Sequence, residues 1–184
     1  MSRSGYSDDL DNTELNVWRG QVASAIRGRR GQMFLLEMLA AIDALPRKEL
    51  IKEAIVTPEG PVCAMGAVAR RRGTDASDLD PEDADSVAGR FGIARQMAME
   101  IAYVNDEQGD WVIDPEATRD AVIRQIARGM DEQTARARVR KYREETNAER
   151  FVRVRAWVVS QIRDFDLGPV TSHHQTQTTI NKGD

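Results

Sequence analysis

The chain is poor in the residues that staple, ligate or attack. Its 184 residues hold one cysteine and two histidines, and aromatic side chains make up only 5%. A lone Cys63 excludes an internal disulfide, and a thiol left single fits a reducing compartment, so the cytoplasm is the expected location. His173 and His174 are adjacent, which leaves no Cys/His set with zinc spacing. No apolar run approaches the ~18 residues of a membrane span, and MSRSGYSDDLDN has no apolar core of a secretory signal. Phosphate-cradling glycine loops, nucleophile elbows and H-E-x-x-H are all missing. The acids Asp75, Asp78, Asp80, Glu82, Asp83 and Asp85 are dense but lack the order and distal glutamate of a calcium loop. No cofactor and no metal are expected.

What is abundant is charge on a helical pattern. Hydrophobic residues make up 41% and charged residues 30%, with a net charge of -4. Residues 74 to 120 hold thirteen acids against three arginines, whereas residues 134 to 155 hold eight bases against three acids. Such asymmetry suits either a charged binding face or two segments that pair inside the fold.

Capping signals and apolar spacing predict a mainly α, compact helical domain over residues 1–165, with a disordered polar tail over 166–184. Asp11 and Glu14 have capping-box spacing, and Leu15, Trp18, Val22 and Ile26 follow on one face. Gly28 and Gly31 bracket Arg29 and Arg30, which predicts a turn, with a second helix from about Gln32 to Leu45, before Pro46. Thr57-Pro58-Glu59-Gly60 between β-branched residues predicts one small β-hairpin near residues 50–63. Cys63 to Arg72 reads as a short helix of small residues stopped by Gly73, its Gly66 admitting a close neighbour. Asp80-Pro81-Glu82 and Asp114-Pro115-Glu116 are helix starts, Asp131 begins another helix, and Thr146 with Glu149 forms a second capping box. RFVRVRAWVV alternates like a strand, but Phe151, Val154, Val158 and Ile162 favour a helix.

Two arginine groups are the candidate binding residues. Arg19, Arg27, Arg29 and Arg30, joined by Arg70, Arg71 and Arg72, suit a phosphate-binding patch; Arg136, Arg140 and Arg143 recur at helical spacing and suit a phosphate backbone. Local ion pairs with Glu132, Glu144, Glu145 and Glu149 are the plainer alternative for the second group. Arg19, at the edge of the apolar arc, is expected to be partly buried against an acid, bracing the interior beside Trp18. Cys63 has no histidine base within reach and is expected to be a buried structural thiol. Asn105, Asp106 and Glu107 end an apolar helix, and the two carboxylates are the candidates for a small carboxylate-based hydrolase.

The strings MSRSGYSDD, WRGQVASAIRGRRGQMFLLEMLAAIDALPRKELI, PVCAMGAVARRRG, FGIARQMAMEIAYVNDE and VRVRAWVVSQI resemble a group of short proteins encoded by tailed phages and prophages. The resemblance covers most of residues 1 to 111 and again 149 to 163; residues 113–148 depart from it as a helical insertion. It implies a phage or prophage gene and a shared fold, and no catalytic residue. The resulting expectation is a non-catalytic module binding a host or phage macromolecule, protein ahead of nucleic acid, with no membrane partner. DNA or RNA binding through the arginine-rich helices is the second expectation.

Overall fold

A computed structural model describes residues 11–109 and 111–163. Among them are eight helices and one two-stranded antiparallel sheet. The polar tail over 166–184, with His173 and His174, lies outside the described residues.

Helix α1 (Asn12–Arg27) opens with the reciprocal box: Asp11 accepts from the amides of Thr13 and Glu14, and Glu14 accepts from the amide of Asp11. Gly28 is at once its C-cap and the N-cap of α2 (Arg29–Asp43), so the corner is a single extended residue. Gly31 is not part of the turn. It lies buried in the first turn of α2, where a Cβ would sit 2.1 Å from the Ala25 carbonyl oxygen; its missing side chain lets the two helices touch. Helix α2 supplies Phe34, Leu35, Met38, Ala41 and Ile42 to the core and packs against α1, α3 and α8.

Near residues 50–63 the predicted hairpin exists in its smallest form: one antiparallel bridge, Val56 to Val62, closed by the Thr57–Gly60 turn. It grows no further because α3 (Ala64–Arg72) starts one residue past Cys63, which is buried as expected. A Cβ on Gly66 would meet the Ile55 carbonyl oxygen at 2.0 Å, so α3 rests directly on the bridge backbone. Gly73, at φ 66, ends α3 in the left-handed conformation.

Helix α4 (Ala84–Phe91) starts three residues later than Asp80-Pro81-Glu82 suggests. Asp80 instead folds a tight turn by accepting from the Glu82 amide, and Asp83 caps the helix through the amides of Asp85 and Ser86. Helix α5 (Arg95–Asp106) buries Met97, Ile101 and Val104 and contacts α1, α3, α4 and α8.

Residues 111 to 144 then make an excursion. Strand β1 (Trp111–Ile113) leads into α6 (Pro115–Ala127), capped by Asp114 with Pro115 in the first turn, and α7 (Glu132–Arg138), capped by Asp131. The chain returns as β2 (Tyr142–Glu144), pairing Trp111 with Glu144, Val112 with Arg143 and Ile113 with Tyr142. This sheet, between segments 31 positions apart in register, has no local turn signal in the sequence. Helix α8 (Asn147–Gln161) follows behind the Thr146–Glu149 capping box, and Phe151, Val154 and Val158 close the core as a helix rather than a strand.

Candidate functional site

At the α1–α2 corner the backbone fans three arginines outward. Arg27 is the last residue of α1, and Arg29 and Arg30 are the first two of α2; all three are exposed and make no ion pair among the described residues. Gly28 offers no side chain to cap α2, and the first turn of α2 carries no acid, so the positive end of its dipole adds to the arginine charge.

The inner side of this corner borders a cleft of about 650 Å³ whose lining includes Arg29, Arg30, Phe34, Glu37, Arg72 and Phe91. Arg72 forms its back wall. Its guanidinium grips Glu37 with two bonds of 2.7 and 2.6 Å, donates to the Phe91 carbonyl at 3.1 Å, and lies 5.6 and 5.9 Å from the Phe34 and Phe91 ring centres. These bonds hold the Glu37 carboxyl below the usual carboxylate range and push the Arg72 guanidinium up. The Arg72 charge is therefore matched, whereas the charges of Arg29 and Arg30 are not. An apolar floor beneath two unmatched cations suits a ligand that brings both carboxylates and apolar side chains.

The other candidates do not converge here in the same way. Arg70 turns away from the cleft to the Gly60 carbonyl, and Arg71 adds only a longer-range field at Glu37. Arg136, Arg140 and Arg143 do not share a helix face, because α7 ends at Arg138 and Val139 is extended. Arg136 pairs with Glu132 across one turn, Arg140 donates to the carbonyls of Arg136 and Val139, and Arg143 grips Glu149 at 2.8 and 2.7 Å. Helical spacing in the sequence gave way to a strand there.

Arg19 is exposed rather than half-buried against an acid. The buried arc of α1 runs through Val22 and Ile26, with Trp18 and Ala25 half-buried on one flank; Arg19 falls past the opposite edge. The bracing expected of it is done by Gln32, 1% exposed, which sequence reasoning missed. The Gln32 amide nitrogen donates to the Ile26 carbonyl at 2.8 Å and the Gln161 carbonyl at 3.0 Å, and its oxygen accepts from the Arg163 amide at 2.8 Å. One side chain thus satisfies the ends of α1 and α8.

Glu145, expected in an exposed local ion pair, is instead buried. It takes a fork from Arg153, with both bonds at 2.7 Å, and has Arg150 at 3.4 Å. Arg150 also donates to the Leu50 carbonyl, and Arg153 to the Val104 carbonyl, so the knot joins the root of the excursion to α5 and α8. A sequence cue existed: Glu145, eight and five residues before two arginines of a helix that must be half-buried.

Asp106 and Glu107 do not face Arg29 and Arg30. Asp106 is 6% exposed and accepts from the Asn105 amide at 2.6 Å and the Glu53 amide at 3.3 Å, steadying Glu53 at φ 65. Asn105 accepts from the Ala64 amide and donates to the Ile51 carbonyl, so the pair holds the start of α3 and the preceding loop. Neither acid lines the arginine cleft. Among the described residues no cluster of three His, Cys, Asp or Glu could hold a metal ion, and no helix is long and apolar enough to cross a membrane. No protein-family model, curated protein or solved structure matches the chain.

Proposed function

We propose that this chain is a non-catalytic binding module that docks an acidic segment of another macromolecule, a protein before a nucleic acid, on the Arg27, Arg29 and Arg30 corner. The observation that carries the reading is the corner itself: three exposed cations without acid partners, at a helix start without a cap, beside an apolar-floored cleft. The resemblance to phage and prophage proteins supports placing the partner in an infected or lysogenic cell. Nucleic acid is the second reading. It draws support from the arginine content but loses the aligned stripe that Arg136, Arg140 and Arg143 would have formed.

The test compares capture of partners by the wild-type chain and by the Arg27→Glu, Arg29→Glu, Arg30→Glu triple variant. The reading expects a partner whose capture falls tenfold or more in the variant; equal capture by the two removes the corner from the function. Random duplex and single-stranded DNA decide the second reading. Binding that collapses between about 50 and 200 mM salt supports it, and none at low salt excludes it.

A further inference from the structure

Helix α2 keeps one apolar strip uncovered, and it lies beside the arginine corner. Met33 and Leu36 are 47% and 39% exposed, on a helix whose other large apolar side chains pack into the core. Helical spacing makes Arg29, Gln32, Met33 and Leu36 a single patch: Arg29 stands three positions from Gln32 and four from Met33, and Leu36 four from Gln32 and three from Met33. Met33 carries the patch into the cleft floored by Phe34 and Phe91.

The closing helix delivers the chain to this patch. Gln32 accepts from the Arg163 amide at 2.8 Å and donates to the Gln161 carbonyl at 3.0 Å, so the backbone at the end of α8 lies against the first turn of α2. The next residues in the sequence are Asp164-Phe165-Asp166-Leu167, before Gly168-Pro169. In an extended chain of that pattern the acids share one side and the apolar residues the other, and four residues span up to about 14 Å. Arg29 and Leu36 are about 10 Å apart along the helix, within that span. The other acidic terminal segment, Asp8-Asp9-Leu10, precedes α1, whose 16 residues put its start about 24 Å from the corner.

We propose that residues 164–167 bind this chain's own arginine corner, the acids toward Arg29 and Arg30, with Phe165 and Leu167 over Met33 and Leu36. The segment then competes with the acidic partner of the reading above; the competition rests on that reading, and the docking does not. A short tether holds a segment at an effective concentration in the millimolar range, so contacts that bind a free peptide at roughly 1 mM keep the corner covered about half of the time. A partner must displace the segment, which sets a threshold against weak acidic ligands.

Amide spectra of the full chain read the docking. Asp164→Lys with Asp166→Lys is expected to move the resonances of Arg29, Arg30, Met33 and Leu36, and Phe165→Ser those of Met33 and Leu36. Shifts confined to Gln32 and the residues flanking the substitutions overturn the proposal. So does a response that appears only with rising concentration, which would give the contact to a second copy. The free peptide of residues 162–169, titrated to about 5 mM into the lysine variant, is expected to move the same resonances, and the wild-type chain to need at least twofold more of it. Equal affinity for the two chains, or no movement in either, overturns the proposal. Arg29→Glu with Arg30→Glu suits the dipole of α2, so the helix should stay folded and lose the peptide response; a response that survives it overturns the proposal too. Partner capture is a separate readout: if the corner variants capture partners as well as the wild type while the resonances still follow Asp164 and Asp166, the docking stands and the binding reading falls.

Discussion

The helical body and the excursion it carries are built on different terms. Residues 11–109 and 147–163 close around a shared interior in which Leu35, Met38, Ile42, Leu50, Met97 and Ile101 are all but removed from solvent. The excursion buries only Ala121, Val122 and Ala135, none of them in that interior, and leaves Trp111, Ile113, Ile123 and Tyr142 at least half exposed. Apolar burial supplies the body's stability. Caps, a three-rung ladder and the buried Glu145 supply that of the excursion. Burial is cooperative, whereas caps and short ladders are local, so the excursion should open while the body stays closed.

The largest effect should come where the two meet. Glu145→Ala leaves the buried Arg150 guanidinium and the partly buried Arg153 without their acid and should lower global stability by about 3–5 kcal/mol, read by urea denaturation. A loss confined to the excursion would show that the knot belongs to it alone. Gln32→Leu strips the partners from the Ile26 and Gln161 carbonyls and the Arg163 amide. It should destabilise the body by about 2–3 kcal/mol and leave amide exchange in α6 and α7 unchanged. A smaller effect is expected from acid. Glu37, Asp43 and Glu149 all titrate lower in the folded chain than their ordinary 4.5, 3.8 and 4.5, held by Arg72, Arg155 and Arg143. Their contribution is complete above those ordinary values and drains as the pH falls through the folded ones. Stability measured by urea midpoint should therefore be flat from neutral pH to about 5 and decline below.

Asp114→Ala removes the cap of α6 and should cost about 1 kcal/mol, seen as faster amide exchange in α6 with the urea midpoint of the body unmoved. The smallest effect should follow the largest excision. Val112 and Arg143 are ladder partners, so replacing the segment between them with a two-glycine turn should shift body stability by less than about 1 kcal/mol. A body that fails to fold after this excision would end the distinction between the two regions.

The helices were legible because their signals are local. Asp11 with Glu14, Thr146 with Glu149, Asp114 with Pro115 and Gly73 each act within a few residues, and each does in the structure what its chemistry implies. The candidate corner was half legible: glycine and arginine spacing located Arg27, Arg29 and Arg30, but not the cleft that Arg72 and Phe91 complete from two other helices. What the sequence concealed depends on distant partners. The β1–β2 sheet, the Gln32 clasp and the Glu145 knot join residues far apart in the chain, and a buried glutamine or glutamate carries the same letters as an exposed one. Arg19 shows the converse error, since a helical wheel locates an arc but not which edge its neighbours cover.

The Gln32 clasp also bears on how the chain is made. Its last partners, at Gln161 and Arg163, are translated some 130 residues after it. The excursion sits in that interval and delays the closing helix by about 2–7 s at ~5–20 residues per second. Until α8 leaves the ribosome, α2 lacks one of the three helices it packs against, so part of its apolar face stays open to water for that interval.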